Sequence, residues 1–413
     1  MFHSRNPIYR NPTGAVQAHT NIHFKLLVPR EFRCSAARLM VGEEFTKQVK
    51  TLGLFWCGMN GEDHEWWECD FTPEQSGLYF YRFEIDTWRG TLGITSRFGG
   101  ESGIDEFGAP EGECWQLTVF ESQYQIPDWL SGGIMYQIFP DRFYRSGTTK
   151  YNVPQDRYLH QRWGSQPEWR PNHQGEITNS DYFGGDLEGI IQKLDYLQSL
   201  GITCIYLNPI FEAHSNHRYD TADYTKVDPL LGSKEDFKRL CKEANKRGIH
   251  IMLDGVFNHT GSDSIYFNRK GRYQTLGAYQ SQESPYYDWY QFYQWPEQYA
   301  CWWNFETLPN VNEANETYNA YINGTDGVIQ AWLKAGADGW RLDVADELPD
   351  LFLDDITKAA KQVKPTSMIL GEVWEDASNK MAYGQRRRYL LGKQLDSVMN
   401  YPFREAIIGF LTG

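Results

Sequence analysis

From Gly133 onward, short apolar runs alternate with amphipathic helical stretches, and this order leaves few folds open. Runs at 134–139, 202–207, 249–256, 339–344, 368–371 and 397–400 read as six strands. Between them, Leu187, Ile190, Ile191, Leu194, Leu197 and Leu200 form one helical stripe closed by Gly201. A second helix opens at Ser233-Lys-Glu-Asp236, which resembles a capping box. A third, over 326–335, carries Val328, Ile329, Trp332 and Leu333 and stops at Gly336. Alternation of this kind implies an α/β fold with a parallel sheet and right-handed crossovers.

The first 128 residues follow another rule. At 80–86, Tyr81, Phe83 and Ile85 fall on one face and Arg82, Glu84 and Asp86 on the other, which is period two. Residues 115–119 repeat the pattern. This region reads as an N-terminal β-sandwich, and 127–133 as the boundary. The second domain then runs over 129–413. It holds an excursion of about 65 residues, 260–324, too long for an ordinary βα loop and therefore a small inserted subdomain. Ten Trp, Tyr and Phe residues crowd it between Tyr286 and Trp303. They suit a local core or a wall on which sugars stack.

Composition excludes some functions. The formal net charge of −14 is a poor match to phosphate backbones or anionic lipid, so no nucleic acid and no membrane partner is expected. A mean hydropathy of −0.60 and the lack of a long apolar run argue against a spanning helix. Seven cysteines with no C-x-x-C pair, and no signal-peptide pattern after Met1, read as reduced thiols in the cytoplasm.

Polar residues collect at strand ends. The third strand ends Asp254-Gly-Val-Phe-Asn-His259. The fourth alternates Arg341 and Asp343 with apolar residues, so both point to one side. The fifth ends Gly371-Glu-Val-Trp374, and the loop after the second holds His217-Arg-Tyr-Asp220. The Arg341 guanidinium is expected to favour the ionised Asp343. Glu372 has no cation near it in sequence, and a buried carboxyl without one keeps its proton more readily. A nucleophile and a general acid need that contrast. A metal reading of Asp254, His259 and Glu372 lacks H-x-x-E-H or HxH spacing, so no metal is expected.

These stretches resemble signature regions of the α-amylase superfamily, glycoside hydrolase family 13. So do Gly133-Ile-Met-Tyr-Gln-Ile-Phe-Pro-Asp-Arg-Phe143, Tyr182-Phe-Gly-Gly-Asp-Leu187 and Leu308-Pro-Asn-Val-Asn312. The resemblance covers about 130–413, and Glu347 is similar to the neopullulanase and cyclomaltodextrinase group. It implies a (β/α)8 TIM barrel, here truncated after about six strands, behind a starch-binding-like domain. It implies a retaining hydrolase of α-1,4-glucosidic bonds in maltooligosaccharides, cyclodextrins or pullulan. A transglycosylase of the same superfamily, or a non-catalytic glucan-binding homologue, stays open. Asp343 would be the nucleophile, Glu372 the acid/base and Arg341 the residue that orients Asp343. His259, His217, Tyr219, Asp254, Trp374, Glu347 and Tyr136 would bind the α-glucan. The group also implies a homodimer through the N-terminal domain. Some relatives hold calcium in the loop after the first strand; residues 144–150 carry no carboxylate although Gly184 and Asp186 remain, so no cofactor is expected, with calcium the alternative. The family's third carboxylate follows a His, and the chain has no His-Asp dipeptide.

Overall fold

Period two at 80–86 builds what it predicts: Gly77–Thr87 is a strand with Tyr81, Phe83 and Ile85 buried and Arg82 and Glu84 on the wetter side. It belongs to a ten-stranded, largely antiparallel sheet. One long strand, Val49–Asn60, pairs with Ala36–Glu43 through its first half and with His64–Phe71 through its second. The two ends of the sheet thereby come face to face. Phe24, on Ile22–Pro29, lies edge-on 5.1 Å from Tyr81, although the two strands are not neighbours in the sheet. Phe2, Leu39, Trp115 and Leu117 complete that core.

The computed structural model describes residues 1–106, 113–148, 150, 153–175 and 177–413, and the chain divides into two units. The first is Met1–Gln125 with Ser378–Lys393, the second Ile126–Ala377 with Gln394–Gly413. A single cut near residue 128 therefore misses one segment. Polar bonds tie it to the first unit: Gln116 Nε2 donates to Ser378 Oγ at 3.1 Å and Asn379 Nδ2 to Gln116 Oε1 at 2.8 Å. Glu121 and Lys393 pair at 2.9 Å. Hydrophobic periodicity carries no trace of such side-chain contacts.

In the second unit all six apolar runs form one parallel sheet in sequence order: Met135–Ile138, Cys204–Leu207, His250–Gly255, Gly339–Leu342, Met368–Gly371 and Ser397–Val398. Ser233 and Asp236 make both bonds of the capping box that opens Lys234–Asn245. The stripe at 187–200 is two short helices, Leu187–Gln192 and Leu194–Ser199, because Lys193 leaves the helical region at φ −104° and ψ 3°. The inserted segment divides its aromatics. Trp289, Tyr290 and Tyr299 are buried in a local core, while Tyr293 and Trp303 are exposed. It is tied down by bridges from His259 to Asn310 and from Tyr290 to Val311, and ends in the helix Glu316–Asn323.

Candidate active site

Register decides which strand ends meet. Asp254 pairs with Arg341, and Arg341 with Leu370, across three neighbouring strands. Alternation then sends Asp254, Arg341 and Asp343 to the same side. Arg341 Nη1 donates to Asp254 Oδ1 at 2.9 Å and to Asp343 Oδ1 at 2.6 Å. Its Nη2 stands 2.9 Å from Glu372 Oε2. One guanidinium thus serves three carboxyls, and all four groups are nearly removed from water.

That arrangement corrects two expectations. Arg341 does not bring Asp343 below the usual carboxylate range, and Glu372 does have a cationic partner, supplied by the neighbouring strand. Burial, together with the carboxylates of Asp254 and Glu372, raises the pKa of Asp343 well above the usual range, against the pull of Arg341. Asp254 is raised too, first by burial, although Arg341 and two tyrosine hydroxyls favour its anion. One positive charge among three carboxyls leaves an excess of negative charge, which a low-dielectric site relieves by holding a proton.

Glu372 is held at both oxygens. Oε2 also accepts the Val344 backbone N–H at 2.8 Å, and Oε1 accepts the Trp374 indole N–H at 3.1 Å. Val344 stands at φ 40° and ψ 51°, left-handed backbone that β-branched residues avoid. It presents its amide to Glu372 from that turn.

A second layer fixes Asp254. Tyr206 and Tyr219 both donate their hydroxyls to Oδ2, the latter at 3.0 Å. Asn208 Nδ2 donates to the Tyr219 oxygen and Gln137 Nε2 to Asn208 Oδ1, each at 3.0 Å. Tyr206, Asn208 and Gln137 were not anticipated. Tyr206 is the one polar-tipped residue of the apolar strand Cys204–Leu207, a weak signal that could have marked it.

The histidines are neutral bonding groups. His259 is 1% exposed, and burial pushes its imidazole down to about 3. Its Nδ1 lies 3.2 Å from Asn258 Nδ2, and its Nε2 is buried with no hydrogen-bond partner in the protein. A buried ring nitrogen in that state asks for a ligand. The ring stacks on Trp302 at 5.4 Å. His217 is lowered by burial, and its Nδ1 is approached by Ser215 Oγ and the Tyr219 amide, both at 3.1 Å. Its ring lies 5.8 Å from Tyr219.

Glu347 Oε1 accepts the indole N–H groups of Trp302 at 3.0 Å and Trp303 at 3.2 Å. It therefore holds two rings of the inserted segment, stacked 5.2 Å apart, beside the carboxyls. Trp374 lies 6.5 Å from Trp303. Tyr136 is not brought to this group. Gln137 is in register with Tyr206, so Tyr136 alternates to the opposite side of the sheet, where its ring lies 6.4 Å from Phe143.

Among the described residues no cluster of three or more His, Cys, Asp or Glu side chains is placed to hold a metal ion. In the loop after the first strand, Asp186 Oδ2 accepts from Ser146 Oγ at 2.7 Å and from the Lys150 ammonium. Thr149 of that loop lies outside the described residues.

The model of the alpha-amylase catalytic domain matches residues 137–412. The chain belongs to the alpha-amylase family. Members similar to it include an amylopullulanase of Thermoanaerobacterium saccharolyticum, 37% identical over 99% of this chain and 34% of that protein. Neopullulanase 2 of Thermoactinomyces vulgaris is 35% identical over 75% of this chain and 49% of its own. Among solved structures, a cyclomaltodextrinase superposes with a TM-score of 0.61 at 27% identity, covering 99% of this chain and 65% of its own. The chain thus spans from a third to under two thirds of these relatives. The alpha-amylase fold accounts for the parallel sheet and for the antiparallel domain before it.

Proposed function

We propose that this family member is a retaining α-glucan hydrolase acting on α-1,4-glucosidic bonds of maltooligosaccharides, cyclodextrins or pullulan. The relatives' names, amylopullulanase, neopullulanase and cyclomaltodextrinase, support that substrate class. One observation carries the reading: Asp343 and Glu372, from neighbouring strand ends, both reach a single guanidinium. Such closeness fits the separation of about 5–5.5 Å used by retaining enzymes better than the about 6.5–9.5 Å of inverting ones.

The Asp343 carboxylate attacks the anomeric carbon while Glu372 protonates the departing oxygen. Glu372 then takes a proton from water as the ester is cleaved. Arg341 aligns both carboxyls. Asp254, held by Tyr206 and Tyr219, fixes Arg341. His259 Nε2 and His217 donate to hydroxyls of the bound sugar, Tyr219 stacks on it, and Trp302, Trp303 and Trp374 line its path. The six strands are part of a (β/α)8 barrel, and the antiparallel unit is a starch-binding-like β-sandwich that pairs two copies of the protein.

No cofactor is needed on this reading. The Lys150 ammonium and Ser146 hydroxyl already occupy the Asp186 oxygen that faces the loop. A cytoplasmic setting is part of the same proposal, supported by the intracellular maltogenic amylase of Bacillus subtilis, 36% identical over 84% of this chain. Proton NMR of the first products from the full-length gene product tests the mechanism. The α-anomer is expected at first; an initial β-anomer excludes the role given to Asp343.

A further inference from the structure

The turn that carries His259 is held by its backbone. Val256, Phe257, Asn258 and His259 are all buried, so each carbonyl needs a donor. The Tyr224 hydroxyl, from the strand Thr221–Val227, donates to the Val256 carbonyl at 2.6 Å and lies 3.4 Å from that of His259. The Tyr318 hydroxyl donates to the Phe257 carbonyl at 2.8 Å. The Asn258 carbonyl accepts the Val311 amide at 3.1 Å and Asn310 Nδ2 at 3.3 Å. Four successive carbonyls are thus met from outside the turn, and two tyrosine hydroxyls reach three of them. The ring itself bonds within the turn, where Asn258 Nδ2 donates to His259 Nδ1 and leaves the proton on Nε2.

We infer that Tyr318, supported by Tyr224, is a positioning residue: through the backbone of this turn it aims His259 Nε2 at the bound sugar, although its own side chain is sealed away from the sugar. The inference rests on the role given above to His259. Tyr318 is fully buried on the helix Glu316–Asn323, which closes the inserted segment. Its ring lies edge-on to Trp289 at 5.1 Å and stacks on Phe352, of the helix Asp350–Val363, at 6.0 Å. Those two rings fix where the hydroxyl stands.

The energetics favour a shift of the turn when that bond is lost. Without the Tyr318 hydroxyl the Phe257 carbonyl is buried and unpaired, which is costly, and the turn relieves the cost by moving toward another donor. The imidazole moves with it, because its Nδ1 partner belongs to the same turn. A hydrogen bond weakens steeply once it is misaligned, and a misplacement of about 1 Å in an active site is felt strongly in rate. The inserted segment therefore acts on the sugar in two ways. Trp302 and Trp303 line the path, and Tyr318 sets the angle of a histidine that the segment does not itself carry.

The test is a double-mutant cycle in the full-length protein, read as kcat/KM on maltohexaose. Tyr318→Phe keeps both ring contacts and removes the hydroxyl. It should lower kcat/KM about fivefold, the change that one ordinary hydrogen bond corresponds to. In a His259→Asn background the same substitution should cost less than about twofold, because the turn then has no imidazole to aim. Tyr224→Phe removes a bond to the neighbouring carbonyl and should repeat the cycle; it decides the matter if Tyr318→Phe does not fold. Tyr321→Phe is the control. Its hydroxyl pairs with that of Tyr266 at 2.8 Å, and its loss should leave kcat/KM unchanged. A merely structural role for Tyr318 lowers stability and costs the same factor in both backgrounds. Equal losses with and without His259 overturn the inference, and so does a Tyr318→Phe protein with wild-type kcat/KM. Failure of the underlying reading looks different: His259→Asn alone keeps wild-type kcat/KM, or the wild type cleaves nothing, and either result removes the inference with it.

Discussion

Val344 gives its backbone N–H to Glu372 Oε2 across 2.8 Å while standing at φ 40°, a conformation its branched side chain disfavours. The turn that aims the amide is the turn that carries the strain. Replacing Val344 by glycine should therefore raise stability by about 1 kcal/mol, since glycine enters this region freely. The same change loosens the amide, and kcat should fall. Chemical denaturation read beside steady-state kinetics checks both halves. A variant that is neither stabilised nor slowed would show that the backbone there is unstrained and its amide unimportant.

Glu372→Gln should cost about 10²–10⁴-fold on maltooligosaccharides, whose leaving groups need a proton. On an activated aryl maltoside the first step should be far less affected. Comparing single-turnover rates on the two substrates isolates that step. Equal losses would remove Glu372 as the acid. Asp343→Asn should abolish turnover on both, because no glycosyl-enzyme can form.

Crowding of Asp343 by Asp254 and Glu372 has a signed consequence for pH. With its pKa raised, Asp343 becomes an anion only above the usual carboxylate range. The acid limb of the kcat/KM profile should therefore lie higher than an isolated aspartate would place it. Asp254→Asn removes one of the charges responsible, so the limb should move to lower pH even as the maximum rate drops. A limb that stays in place would mean that another group sets it.

His259 makes a prediction about stability alone. Its folded pKa of about 3 lies below the unfolded value, so the unfolded chain binds the extra proton first. Stability contributed by the neutral ring is present at neutral pH. It is lost as pH falls below about 6.5, by up to about 1.4 kcal/mol per pH unit, until the folded ring itself titrates. Denaturant midpoints at pH 7 and pH 4.5 should differ less in His259→Asn than in the wild type. An identical difference would mean that the ring is not held neutral.

Much of this site was legible because a parallel sheet turns sequence into geometry. Arg341 and Asp343 share a face by alternation, and Asp254 joins them by register. The third contact of Arg341 was not legible, since nothing within a strand says which neighbour's carboxyl its guanidinium will reach. Tyr136 failed for the opposite reason. It stands beside Gln137, which does belong to the network, and one residue of phase sends it to the other side of the sheet. The union of Glu347 with Trp302 and Trp303 spans more than forty positions, beyond any local pattern. The break at Lys193 left no mark in a stripe whose apolar spacing continues across it.

The strand Val49–Asn60 belongs to both layers of the antiparallel unit. Because its first half pairs with Ala36–Glu43 and its second with His64–Phe71, neither layer of the antiparallel unit can release it without breaking the other's edge. The two layers should then melt as one cooperative block. Their deepest amides, on Phe24 and Phe83, should exchange with deuterated solvent through the same opening event, with a common opening free energy.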